Sequence, residues 1–187
     1  MRPDAWPCRK PKGASGPPKG SSAALCCVGT QRLVLSPIPA LADGFTVEAW
    51  VRLDAAPDFT TYHLASWKGV FEAGFEMRPG LCPRPRILVR TDAGAHEMRT
   101  MANFSCKRWV HVAWVYEPGP DIEHNLTMVI HGRPVGLRRG TTRQVKGQVM
   151  SNDEPLVLFE GLLGAVDEVR ISHRPRSPRE LQAPWPS

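Results

Sequence analysis

The sequence predicts an all-β fold, a two-sheet antiparallel β-sandwich of jelly-roll type, on three observations. Short apolar runs recur roughly every ten to fifteen residues beyond about residue 21, separated by Pro, Gly and Asp. The clearest of them, FTVEAWVRLD (45–54), alternates strictly. Phe45, Val47, Ala49, Val51 and Leu53 share one face, and Thr46, Glu48, Trp50, Arg52 and Asp54 the other, as in a half-buried antiparallel strand. Helix signals are confined to one place near the end of the chain. Many short strands with almost no helix make a sandwich or jelly roll.

The elements follow in order. AALCCV opens the domain, and HLASWKG (63–69), FEAGFEM (71–77) and RILVRTD (86–92) follow the first long strand. HEMRTM (96–101) comes next, after a turn read at Ala93-Gly94-Ala95. WVHVAWVYE (109–117) is apolar on both faces, which marks a central strand covered on both sides. NLTMVIHGRPVG (125–136) reads as a hairpin turning at His131-Gly132, two residues that tolerate positive φ. EPLVLFEG and GAVDEVRIS (164–172) supply the last strands. Ser177 as N-cap, Pro178 at the first helical position and Glu180 completing a capping box predict one short helix near 177–182.

At 187 residues the chain holds one domain, large enough to close a core without metal or disulfide help. Its formal charge of +6 invites a nucleic-acid reading, but the charge is not spread over the domain. Residues 1–20 carry five cations against Asp4, a net +4, which leaves +2 for residues 21–187. There the basic residues alternate with acids and form no stripe with interleaved aromatics, so nucleic acid is excluded as a partner. No run approaches the ~18 apolar residues of a membrane span, so no membrane insertion is expected. Residues 1–21 are rich in Pro, Gly, Ser and Lys and read as a disordered tail. The domain is expected over 22–182, with 183–187 frayed. AALCCV is too short for a signal-peptide core, and no export signal is visible.

The five cysteines (8, 26, 27, 82 and 106) show no CxxC spacing and no Cys/His box, which argues against zinc. Cys26 and Cys27 are neighbours on a strand and face opposite ways. Cys82 and Cys106 lie symmetrically about Gly94, so an extended hairpin turning there would place them opposite each other as a candidate bridge.

GFTVEAWVRLD, RWVHVAWVYEPG, NLTMVIHGRPVG and GLLGAVDEVRISHRPRSPREL occur in this order and at this spacing. Together they resemble the laminin G-like jelly-roll family of the concanavalin A-like lectin/glucanase superfamily over about residues 22–182. The resemblance implies a sandwich of two curved antiparallel sheets in an extracellular or cell-surface protein, a module that binds a glycan or a protein and rarely catalyses. The departures matter. The acids that often open the family, and that help hold a structural calcium in relatives, are absent from ALCCVGTQRLVLS. His131 stands where the family's hairpin has an acid or amide, and Ser172 where it has Tyr.

Within GAVDEVRIS, period two puts Asp167 with Ala165, Val169 and Ile171, and Glu168 with Val166, Arg170 and Ser172. Glu168 and Arg170 then form a solvated same-face pair. Asp167, among apolar residues, needs hydrogen bonds or a cation. It is the candidate ligand for calcium, the only cofactor the sequence offers, with Glu160 to Gly164 as a source of further oxygens. Trp50, with Glu48 beside it, is the candidate sugar contact. Asn103-Phe104-Ser105 and Asn125-Leu126-Thr127 are glycosylation sequons.

The superfamily's glucanases, which share the fold, carry a string close to E-x-D-x-x-E that sets two carboxylates about 5 Å apart. The nearest string here is Glu72-Ala73-Gly74-Phe75-Glu76, with Gly in place of the central Asp. Its acids lie four residues apart, ~13 Å along a strand. No catalytic residue is assigned. The function expected is non-catalytic recognition of a glycan or an extracellular protein. A structural domain accessory to a larger enzyme is the second reading, and a glycoside hydrolase the third.

Overall fold

The protein is described by a computed structural model over residues 24–36, 41–54, 59–79, 81, 83–101, 106–119, 125–135 and 144–182. The tail expected at 1–21 and the end expected to fray at 183–187 lie outside these residues. In chain order the strands are β1 (Leu25–Val28), β2 (Leu33–Leu35), β3 (Phe45–Leu53), β4 (Thr60–Trp67), β5 (Phe71–Met77) and β6 (Arg84–Thr91). Then come β7 (Gly94–Arg99), β8 (Val110–Tyr116), β9 (Leu126–Ile130), β10 (Arg133–Pro134), β11 (Leu156–Leu158) and β12 (Leu163–Ser172), followed by the helix α1 (Pro178–Gln182).

They form two antiparallel six-stranded sheets. The first runs β1-β12-β3-β8-β9-β10 and the second β2-β11-β4-β5-β6-β7. The two inner faces interleave into one core, as in other sandwiches. Phe45 of β3 stacks on Phe71 of β5 at 5.0 Å between ring centroids, and Phe75 of β5 meets Trp114 of β8 edge-on at 5.6 Å. Each contact joins one sheet to the other. Truncating a fully buried aromatic such as Phe45 to Ala costs about 3–5 kcal/mol.

The hairpin expected at His131-Gly132 forms there, with φ of 47° and 73° joining β9 to β10. The β6–β7 hairpin departs from expectation. Thr91 pairs with Gly94 and Arg86 with Arg99, so the turn is Asp92-Ala93 and not Ala93-Gly94-Ala95. That moves the centre of symmetry off Gly94 and takes Cys106 out of register with Cys82. Cys106 stands in no disulfide, so the candidate bridge is not formed, and Cys82 lies outside the described residues. Cys26 is disulfide-bonded. Its neighbour Cys27 is a buried thiol, which burial pushes up to about 11.

β12 also departs from simple alternation. Asp167 pairs with Trp50, but the next partners are Arg170 and Glu48, so β12 spends three residues where β3 spends two. The extra residue is a β-bulge, with Glu168 at φ 52°. Past the bulge the faces exchange. Val166, Val169 and Ile171 turn to the core, whereas Ala165, Asp167, Arg170 and Ser172 turn outward. Asp167 therefore does not share a face with Val169 and Ile171. The two adjacent acids of GAVDEVRIS lie together on the outer side, where the charge of Glu168 reaches His111 and Arg170. Asp167 Oδ1 accepts the Glu168 N–H at 2.9 Å, inside the bulge itself.

Candidate functional site

The sandwich has two outer faces, and they are built differently. On the first sheet, β3 and β8 present Glu48, Trp50 and His111 outward, and β12 adds Asp167, Glu168 and Arg170. The chain after β12 folds back over this face. The Thr46 hydroxyl donates to the Arg174 carbonyl at 3.0 Å and accepts the Arg176 N–H at 2.9 Å. The Arg176 guanidinium pairs with Glu48, which also lies 3.3 Å from His111 Nε2 and 3.5 Å from Arg170. Ser177 and Glu180 exchange the hydrogen bonds of the capping box expected of α1. Leu181 packs on Ala113, Val115 and Val129.

Sequence alone placed Glu48 and Trp50 on one strand and Asp167 on another, and register brings them together. Asp167 is the Cα partner of Trp50, and Glu48 lies two residues along the same face. Glu48 is only 2% exposed and enclosed by cations, the geometry of an internal counter-ion. Trp50 is half-buried, its indole flanked by His111 at 5.5 Å and His131 at 5.7 Å. Burial takes His111 below its ordinary value against the opposing pull of Glu168, and burial with the charge of His111 takes His131 down as well.

Of the oxygens suggested to join Asp167 around calcium, three backbone carbonyls each accept one N–H, and so does that of the neighbouring Phe159. The carbonyls of Phe159, Glu160, Leu162 and Leu163 accept the N–H groups of Leu162, His63, Gly29 and Asp54. The Glu160 carboxylate points to His63 on the second sheet, away from Asp167. Among the described residues no group of three or more His, Cys, Asp or Glu side chains is arranged to hold a metal ion. Asn125 is also engaged, since its side chain donates to the Val145 carbonyl and accepts the Val145 N–H. The folded domain thus leaves that sequon no free amide, and Asn103 lies outside the described residues.

The outer face of the second sheet carries a lattice of charged side chains, from Arg86 at 14% to Arg90 at 41% exposed. Across β4, β5 and β6, His63, Gly74 and Arg86 form one row, and Arg99 of β7 extends it. Arg86 reaches Thr61 Oγ1 at 3.3 Å and Glu72 at 3.4 Å, while its Nε lies 3.1 Å from Glu97. To touch Thr61 on β4 from β6, its side chain must cross β5 at Gly74. A register shift in β4 between His63 and Ala65 brings the Tyr62 carbonyl oxygen against Gly74, and any Cβ there would collide with it. The position that a glucanase string gives to Asp can hold only glycine here.

Two carboxylates remain on either side. Glu72 takes Arg86 and Arg90, with His63 Nε2 at 3.7 Å. Glu76 takes Arg78 through both Nε and Nη2, and Arg99 stands at 4.0 Å. Burial would raise Glu76, but the Arg78 hydrogen bonds and the charges of Arg78, Arg99 and Arg84 outweigh it and hold the carboxyl below its ordinary value. A general acid needs the opposite shift. Sequence reading missed this lattice because alternating Glu and Arg on a strand is also the pattern of any solvated face. The only signal was their common parity: Glu72, Glu76, Arg84, Arg86 and Arg90 are all even-numbered on two adjacent strands.

No helix among the described residues is long and apolar enough to cross a membrane. No curated protein matches the chain significantly. Solved structures do. Domain 4 of AbnA, a GH43 extracellular arabinanase from Geobacillus stearothermophilus in complex with arabinotriose, aligns with 85% of this chain and 74% of its own, at a TM-score of 0.61 and 14% identity. The native heptameric SAP-like pentraxin of Limulus polyphemus aligns over 81% and 72%, with a TM-score of 0.53 and 11% identity. The binding domain of botulinum neurotoxin DC, in complex with rat synaptotagmin II, aligns over 81% of this chain and 38% of its own, at 0.56 and 9%. At these identities the likeness is one of fold. The laminin G-like family model, of the concanavalin A-like lectin/glucanases superfamily, matches residues 29–182. With the two-sheet sandwich in place beneath that match, the chain belongs to the laminin G-like family of this superfamily.

Proposed function

We propose that the chain is a non-catalytic recognition module, for a glycan or for a protein partner, whose ligand rests on the outer face of the second sheet. The observation that carries this reading is the lattice of charged side chains around Arg86. Its rigid, planar donors and acceptors sit on strands rather than loops, as polar recognition requires. Of the fold relatives, the arabinanase domain was solved with arabinotriose and the toxin domain with synaptotagmin II, one ligand of each kind. Family membership and the disulfide at Cys26 both fit an extracellular or cell-surface protein.

Catalysis is disfavoured by the same lattice. Glu72 and Glu76 are held by arginines, and no Asp fits between them. Trp50 is proposed as a second, smaller contact on the first sheet, edged by His131, with Glu48 supporting it from beneath. Binding is expected to be independent of calcium, because the proposed face lies on the second sheet and Asp167 on the first.

A structural role beside a larger partner is favoured by one feature. β2 is an edge strand whose Leu33, Val34 and Leu35 are 47%, 52% and 36% exposed, the kind of edge that takes a neighbouring strand.

A glycan array read with calcium and with a chelator, beside a hydrolysis assay on β-glucans, tests the proposal. Binding without turnover, unchanged by chelation, is expected. Turnover that Glu76→Gln abolishes would overturn it.

A further inference from the structure

We infer that β2 pairs with the β2 of a second copy of this chain, in a weak antiparallel dimer whose two-fold axis passes through Val34. This rests on the exposed edge and not on the charged lattice, so the glycan array and the hydrolysis assay do not bear on it. β2 is the outermost strand of its sheet among the described residues, next to β11. Sheet edges are normally guarded by charges, Pro or bulges. Leu33-Val34-Leu35 has none of these, its register with β11 is unbroken, and its residues are 47%, 52% and 36% exposed.

Two observations say what this edge takes. The first is where its backbone points. The Phe159 N–H, just past β11, donates to the Leu64 carbonyl of β4 at 3.1 Å. Successive residues of an antiparallel ladder bond to alternate sides, so Val157 also bonds toward β4, and Leu156 and Leu158 toward β2. Their partners Leu35 and Leu33 are therefore engaged with β11. The N–H and C=O of Val34 point off the edge. The second observation is which side chains lie on which side. Leu33 and Leu35 stand opposite Leu158 and Leu156, which belong to the core, and so they lie on the core side of the sheet. Val34, opposite the half-buried Val157, lies on the outer side.

Arg32 to Ser36 is complementary to itself turned around. With Val34 opposite Val34 of the second copy, the two residues exchange both backbone bonds. Leu33 then meets Leu35 of the second copy on the core side. Arg32 meets Ser36 of the second copy, so no like charges oppose each other. A slip of one residue sets core-side leucines against outer valines, which the pleat opposes. The axis stands perpendicular to the sheet, so the two six-stranded sheets join into one and both outer faces look the same way. Given a recognition face on each copy, the dimer is bivalent. A contact of three apolar residues a side is small beside the about 1,200 Å² of the smaller standard interfaces, so the dimer forms only at high concentration.

Sedimentation velocity of the full chain, from about 5 to about 500 µM, tests this, because a weak dimer forms by mass action over such a range. The sedimentation coefficient should rise from that of a monomer toward that of a dimer. Val34→Lys and Val34→Glu each set like charges opposite one another across the axis, and each variant alone should stay monomeric at the highest concentration. The side chain at this position points outward, so both melting temperatures should stay near that of the parent. Mixed in equal amounts, the two variants should form the dimer again, because Lys then faces Glu. A parent that is monomeric throughout overturns the inference. So does a dimer that survives Val34→Lys, or a mixture that stays monomeric.

Discussion

Arg86 lies across Gly74, so that a guanidinium from β6 reaches Thr61 on β4 through a space that any other residue at position 74 would fill. One glycine thus does two things. It lets the β4 bulge approach through the Tyr62 carbonyl, and it opens the bed on which the lattice is assembled.

Replacing it should therefore damage fold and face together. Gly74→Ala is expected to destabilise the domain by about 1–3 kcal/mol, the usual cost of forcing atoms into a packed position. Gly74→Asp should cost more, and it should yield no hydrolysis although it restores the glucanase string. Urea unfolding and a reducing-sugar assay check the two halves. A stable Gly74→Asp variant that cleaves glycan would refute the account of this position.

Much of the fold was legible in the sequence because it rests on period two. Phe45 to Leu53, Val110 to Tyr116 and the His131-Gly132 turn fall where alternation and turn chemistry put them. What escaped was register. A single extra residue at Glu168 reverses the face of everything after it in β12, and alternation read through GAVDEVRIS has no means of seeing it. The move of the β6–β7 turn from a centre at Gly94 to one between Asp92 and Ala93 likewise undid the pairing drawn for Cys82 and Cys106. The site was less legible than the fold. Trp50, Glu48 and Asp167 do converge, yet the role of Glu48 depends on Arg176, 128 positions away in sequence. Arg86 owes its place to a glycine on the next strand.

The clasp over the first sheet carries its own prediction. Arg176→Ala leaves the Glu48 carboxylate, 2% exposed, without its main counter-charge. Breaking a buried pair in this way costs about 3–5 kcal/mol. Arg176→Ala combined with Glu48→Gln should recover part of that loss, because no uncompensated charge then remains. Denaturant midpoints of the two single variants and the double variant measure the coupling. Strictly additive losses would show that the two residues do not act as a pair.

Stability should also fall on mild acidification. Burial holds the folded His111 below its unfolded value near 6.5. Below pH 6.5 the unfolded chain therefore binds a proton that the folded domain resists. The contribution of His111 is present in full above 6.5 and is lost as pH drops toward the folded value, by up to about 1.4 kcal/mol per pH unit. His131 is shifted the same way. Glu76 is lowered from 4.5, so its contribution holds until pH falls below that value and does not blur the window between 7.5 and 5.5. His111→Gln should flatten the change in unfolding midpoint between those two pH values. An unchanged slope would remove His111 from this role.

The measurement that bears most directly on the recognition face is a backbone-amide NMR titration of the isotopically labelled chain with the tightest-binding glycan from the array. The account predicts saturable shifts concentrated on β5, β6 and β7, at Glu72, Arg86, Arg90, Glu97 and Arg99, with Trp50 and His131 moving little. Shifts confined to Trp50, His131 and Asp167 on the opposite sheet would contradict it.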